Sequence, residues 1–233
     1  MNYYRILNLL EEPTDKILTS NWKSQFRTEV FAYKKLSFDI YMFALRTGLQ
    51  INSAIRVAEN VPAFLDLLNV FFQSNAKNYD LYEMLVDDPI RYVSSDELYL
   101  FSSNYISDID KTGLFYDWGK EHYIWEFIWE MVRSKEFPDM PPRMESLFLF
   151  DNLDNAIKFK NQYRTDSNKY QTAEIALIEG RFQTFDMNWF TSVPSDFTLL
   201  QVQEYARNYW EQKNTTNPIT EVLFQGKYKV NQI

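Results

Sequence analysis

The chain predicts an α+β fold, a strand-rich core with a large helical insertion, and three observations lead there. Asn2-Tyr-Tyr-Arg-Ile-Leu-Asn8 is a short aromatic-rich run of strand character; residues from about 15 to 135 carry helical periodicity; and after Pro138 the period changes to strands with two embedded helices. A strand at the start of the chain whose sheet is completed only near its end ties the two ends together. Residues 1–233 are therefore read as a single domain, with a core at 2–8 plus 137–231 and an insertion at about 15–135.

The elements follow in order. Leu9-Leu-Glu-Glu-Pro-Thr-Asp15 ends the first strand. Phe26 to Arg46 is long, amphipathic and free of proline, and Ser53 to Phe72 has apolar positions at helical spacing around Pro62. Ser94-Ser-Asp-Glu97 reads as a capping box that starts a helix near Asp96. From Glu121 to Arg133, Ile124, Phe127, Ile128 and Met131 form one stripe flanked by Trp125 and Trp129. Beyond the proline-rich segment 138–143, Ser146-Leu-Phe-Leu-Phe150 has the length of a buried strand and Asn152 to Tyr163 that of a helix. Tyr170 to Ile178 and Arg181 to Met187 read as a pair of strands punctuated by Gly180. A helix from Thr198 to Trp210 then leads through Asn214-Thr-Thr-Asn-Pro218 to strands 220–225 and 227–231, joined at Gly226.

Composition narrows the chemistry. Hydrophobic content of 45% indicates a folded chain, and a net charge of -8 argues against binding nucleic acid mainly by phosphate neutralisation. No cysteine is present, which excludes disulfides and thiolate chemistry, and one histidine, His122, leaves no familiar zinc site. It reads as a solvated helix residue. Glu11-Glu12, Asp87-Asp88 and Asp108-Ile-Asp110 read as loop and cap acids, and no metal is expected. The five glycines are scattered singly, so there is no phosphate-binding glycine loop. No secretory signal and no membrane-length apolar run is evident, which makes a cytoplasmic protein the default expectation.

Glu221 is the residue of most chemical interest. It opens a late strand on which alternation places Glu221, Leu223 and Gln225 on one face and Val222 and Phe224 on the other. A partly desolvated carboxylate there can hydrogen-bond a ribose hydroxyl and stabilise an oxocarbenium-like transition state. The alternative is a solvent-facing glutamate on an edge strand.

Phe137-Pro-Asp-Met-Pro-Pro-Arg-Met-Glu-Ser-Leu-Phe-Leu-Phe150 followed by Leu153-Asp-Asn-Ala-Ile-Lys-Phe159 resembles the second core strand and following helix of bacterial and phage ADP-ribosyltransferase-like proteins. Tyr205-Ala-Arg-Asn-Tyr-Trp210 with Pro218-Ile-Thr-Glu-Val-Leu-Phe-Gln-Gly226 is similar to their final helix and catalytic-glutamate strand, and Tyr3-Tyr-Arg-Ile-Leu7 to their first core strand. The resemblance implies a small β core of that type, formed by the N-terminal strand and the C-terminal half, and NAD as substrate. It implies that Glu221 is catalytic, that Arg5 contacts the pyrophosphate or the adenosine-side ribose, that Arg143 is a second phosphate contact, and that Ser146 orients the nicotinamide ribose. Tyr209 is an aromatic candidate for a wall of the nicotinamide pocket.

Two departures from the pattern stand out. The usual Ser-Thr-Ser strand is absent at Ser146, and Ile219 replaces the first acid or amide of a Glu-x-Glu or Gln-x-Glu pair, which weighs against arginine as the acceptor. The implied activity is transfer of ADP-ribose to a protein or nucleic-acid acceptor, by analogy as a toxin of a toxin–antitoxin or phage-defence system held in check by an antitoxin protein. An NAD glycohydrolase and a non-catalytic interaction module built on the same fold are the alternatives.

Overall fold

The computed structural model of the chain describes residues 2–8, 17–20, 29–61, 66, 93–112, 122–164 and 169–231. The chain divides into two compact units. The first comprises Met1–Arg27, Glu130–Ser192 and Tyr205–Ile233, and the second Thr28–Trp129 and Val193–Glu204. Helices and an antiparallel sheet make it an α+β protein.

The first unit is built on strands β1 (Tyr3–Asn8), β2 (Ile17–Thr19), β3 (Leu147–Phe150), β4 (Tyr170–Asp186) and β5 (Thr220–Asn231). All pairings are antiparallel, in the order β2-β5-β3-β1-β4. β4 also pairs with β5, so the path β5-β3-β1-β4 returns to its own start and four strands form a closed ring. Closure removes edges that would otherwise expose unpaired backbone. Alternation then sorts the side chains: Tyr3, Leu7, Leu147, Leu149, Ala173, Ile175, Val222, Phe224, Tyr228 and Val230 form one core inside the ring. Phe150, Tyr4 and Ile6 belong to a second cluster with Ala156, Phe159, Met187 and Ile219. Ala156 and Phe159 come from the helix Leu153–Tyr163, whose N-terminus is capped by Asn152 Oδ1, which accepts from the amides of Asp154 and Asn155.

Three sequence expectations change here. Residues 17–19, expected within the helical insertion, form a strand on β5, with Leu18 opposite Tyr228. Gly180 and Gly226, expected to end strands, lie inside two continuous strands and face each other across the ladder. Both have positive φ, +152° and +155°, and a Cβ on either would run into the opposite backbone. These glycines allow close approach of two strands where the sequence suggested turns.

The second unit is helical. With the helices numbered in chain order, α1 (Glu29–Thr47) packs against α2 (Ile51–Glu59) and α3 (Ser95–Thr112), and α4 (His122–Glu136) adds Tyr123, Ile124, Phe127, Ile128 and Trp129 to the buried set. Phe43 stacks on Phe101 with ring centroids 4.3 Å apart, and Tyr33 on Tyr123 at 4.6 Å. Ser94 Oγ accepts from the Glu97 amide, so the expected cap forms. The expected helix through Pro62 to Phe72 has its first part in α2; its continuation lies outside the described residues, as do Glu11-Glu12 and Asp87-Asp88. Among the described residues, no helix is long and apolar enough to cross a membrane.

Candidate functional site

The site is assembled by a proline-set turn, a helix end and the first residues of β5, all in the first unit. Pro141-Pro142 leads into a single 3-10 turn, Arg143–Glu145, in which the Glu145 amide donates to the Pro142 carbonyl and the Ser146 amide to the Arg143 carbonyl. Ser146 Oγ donates back to the Pro142 carbonyl at 2.8 Å. The turn is held from outside as well: Arg133 grips Glu130 through two nitrogens while its Nη1 donates to the carbonyls of Pro138 and Met140. Arg143 is thereby aimed inward, and it is only 5% exposed.

Its partner is Glu221, which is 3% exposed. Arg143 Nη1 donates to Oε1 at 2.8 Å, to Oε2 at 2.9 Å and to the Tyr209 hydroxyl at 2.6 Å, and that hydroxyl in turn donates to Oε1 at 3.4 Å. Three rings surround the guanidinium, with Phe190 at 4.2 Å, Phe148 at 4.8 Å and Tyr209 at 5.1 Å from their centroids. Such rings attract a cation by about 0.5–2 kcal/mol each, which offsets part of the cost of removing it from water. Phe185, opposite Glu221 on β4, stacks on Tyr209 at 4.5 Å and meets Trp210 edge-on at 5.2 Å. Tyr209 and Trp210 end the helix Leu199–Trp210 and are both fully buried.

Glu221 is therefore not on an edge. Its strand neighbours are Phe150 on one side and Phe185 on the other. The expected alternation holds, since Val222 and Phe224 face the ring core while Glu221 faces Arg143 and Tyr209. Of the five residues singled out from sequence, Arg143, Tyr209 and Glu221 meet in one hydrogen-bonded cluster. Ser146 lies beside them in the chain, but fully buried and turned to the Pro142 carbonyl. Arg5 is not brought to the cluster: it shares the strand face of Tyr3 and Leu7, the face opposite to that of Glu221, with Ala173 as its neighbour on β4.

Sequence reasoning missed Asp186. This buried carboxylate accepts from the amides of Asn188 and Ile219 with Oδ1 and from the amide and hydroxyl of Thr215 with Oδ2. Asn188 Nδ2 reinforces the arrangement by donating to Thr215 Oγ1 and the Asn217 carbonyl. Together they fix the loop that delivers the chain into β5 two residues before Glu221. The bond to the Asn188 amide is an Asx turn, and Asp186-x-Asn188 at a strand end was the available signal.

Residues 44–233 match a family described as a protein of unknown function (DUF2441), and the chain belongs to that family. No curated protein matches it.

Proposed function

We propose that the protein is an NAD-dependent ADP-ribosyltransferase, which breaks the nicotinamide–ribose bond and passes ADP-ribose to a macromolecular acceptor, protein or nucleic acid. The observation that carries this reading is the meeting of Arg143, Tyr209 and Glu221, residues 78 and 12 positions apart, in a single cluster of opposite charges and aromatic rings. NAD carries matching features: a diphosphate for a guanidinium, a cationic nicotinamide ring for a carboxylate, and flat rings for aromatic faces. The adjacency of β1, β3 and β5, the strands on which the resemblance rests, also supports it.

In the reaction the C1'–nitrogen bond breaks, nicotinamide leaves with the bonding electrons, and an acceptor nucleophile bonds C1' and gives up its proton. Glu221 would stabilise the positive charge developing on the ribose through the 2'-hydroxyl, and Arg143 would hold the diphosphate in the role expected of Arg5. Ser146 would act at one remove, by holding the turn that carries Arg143. A toxin restrained by an antitoxin protein is one setting for such an activity.

The test is nicotinamide release from NAD by the unmodified chain, with labelled ADP-ribose followed onto cellular protein and RNA. Label on one acceptor class identifies the substrate, and free ADP-ribose alone points to a glycohydrolase. A second reading, a non-catalytic interaction module, is favoured by the burial and complete pairing of Glu221. Absence of turnover and of NAD binding by the folded chain would overturn the first reading and move the choice to the second.

A further inference from the structure

The helix Leu153–Tyr163 lays Ala156 and Phe159 against the sheet, and the chain then runs past Arg164 to Lys169 and Tyr170 at the start of β4. Lys158, Lys160, Arg164 and Lys169 fall within this short stretch of a chain whose net charge is -8, together with one acid, Asp166, which lies outside the described residues. Lys158, Arg164 and Lys169 are exposed and Lys160 is half-buried. Elsewhere basic side chains answer acids: Lys35 meets Asp39 and Asp108, Arg46 meets Glu97, Arg207 meets Glu136 and Lys227 meets Glu179. None of the four forms an ion pair among the described residues. Instead two of them crowd a single ring, with Arg164 Cζ 5.4 Å and Lys169 Nζ 5.6 Å from the centroid of Tyr170. The ring attracts each cation while the cations repel one another, and an anion brought between them relieves that repulsion. Next to Arg164, Tyr163 stands on Phe159 at 4.7 Å, which rests on Phe150 at 5.4 Å, yet Tyr163 remains 43% exposed.

We propose that this surface binds single-stranded nucleic acid, with phosphates at Lys158, Lys160, Arg164 and Lys169 and a base stacked on Tyr163. Cations without acid partners, interleaved with an anchored and exposed ring, match a ligand that alternates phosphates with flat bases. Lys160 and Arg164 lie one helical turn apart, about 6 Å along the axis, so they meet successive positions of a strand rather than one converged anion. A duplex hides the faces of its bases and offers Tyr163 nothing to stack on. A membrane surface fits less well, because the apolar side of this helix is spent on the sheet and only Ile157 and Tyr163 are exposed large hydrophobics on it. The overall negative charge excludes binding by phosphate contacts alone, and here stacking supplies the other part. The surface is independent of the NAD reading.

The experiment titrates the full chain, without NAD, into a fluorescently labelled single-stranded RNA of mixed sequence, its DNA equivalent, the same RNA annealed to its complement, and phosphatidylserine vesicles, at a series of salt concentrations. Both single strands should bind more tightly than the duplex or the vesicles, with a slope of log K against log salt of about -3 for four phosphate contacts. Lys160→Gln/Arg164→Gln should bring that slope to about -1.4. Tyr163→Ala should weaken binding about fivefold or more with the slope unchanged, since it removes stacking and no charge. All three side chains lie at the surface, and thermal unfolding checks that both variants fold. No binding of single strands, binding of duplex or vesicles as tight as that of single strands, or an unaltered slope in the double variant would overturn the proposal and leave the NAD reading untouched.

Discussion

Glu221→Gln removes one charge from a buried pair and takes from Arg143 the carboxylate that faces it among three aromatic rings. Breaking such a pair from one side costs about 3–5 kcal/mol, whereas replacing both partners by apolar groups of similar size is often neutral. Urea unfolding should show a loss of that order for Glu221→Gln, and recovery of most of it in Arg143→Met/Glu221→Leu. A single-variant loss below about 1 kcal/mol would mean that water reaches the pair. Asp186→Asn keeps the shape but turns a donor towards Thr215, whose amide and hydroxyl both donate to the original oxygen. That change should cost about 1–3 kcal/mol, with faster hydrogen exchange at the amides of Thr215 and Ile219. At this scale the sequence offered no spacing rule that could join Arg143 to Glu221, 78 residues away. It was least informative where burial decides. Ser146 and Glu221 have the side chains of exposed residues, and only the tertiary packing excludes them from solvent.

The long strands β4 and β5 show what local reading misses at the scale of elements. A lone glycine in an apolar run reads as punctuation, as Gly180 and Gly226 both do in the sequence. Paired with each other, they let two twisted strands come closer than any Cβ permits. Ser20 fastens the same point, donating from its amide to the Gly226 carbonyl and accepting from the Gly226 amide at its Oγ. Gly180→Ala and Gly226→Ala should therefore each destabilise the first unit by about 2–4 kcal/mol, combining strained φ with backbone overlap. Thermal unfolding followed by circular dichroism measures this directly, and a neutral alanine at either position would disprove the close approach. β2 was illegible for a different reason. Three residues have too little period to announce a strand, and Ile17–Thr19 takes its conformation from β5.

At the scale of the whole molecule, the helical unit carries a pH dependence of its own. In the helical unit Lys35 Nζ lies 2.6 Å from Asp39 Oδ1 and 2.8 Å from Asp108 Oδ2, tying α1 to α3. Burial pushes the Asp39 carboxyl from 3.8 up to about 6, against the hydrogen bond from Lys35. Burial also works to raise Asp108, yet its bond from Lys35 helps carry it below 3.8. Between about pH 4 and 6 the folded state therefore holds a proton on Asp39 that the unfolded chain releases, so stability falls as pH rises through that window. The contribution of Asp108 runs the other way, lost as pH falls below about 4. Denaturation at a series of pH values should show Asp39→Asn flattening the fall by at most about 1.4 kcal/mol per pH unit. An unchanged profile would mean that Asp39 ionises normally. The α+β class was legible at this scale because periodicity survives averaging over long segments. What no periodicity reveals is that Val193–Glu204 joins a helical body whose other residues lie before Glu130.

The closed ring also sets a schedule. β5 pairs with β2, β3 and β4, in places across more than 200 positions, and contacts of such long range make folding slow. On the ribosome, β1, β3 and β4 emerge before the strand that closes the ring, with the outer edges of β3 and β4 open and Arg143 still apart from Glu221. Thr220–Asn231 supplies the missing strand and the carboxylate together. A chain cut before residue 220 thus loses the closure of its sheet and the carboxylate that meets Arg143 in the same event, so neither can be made without the other.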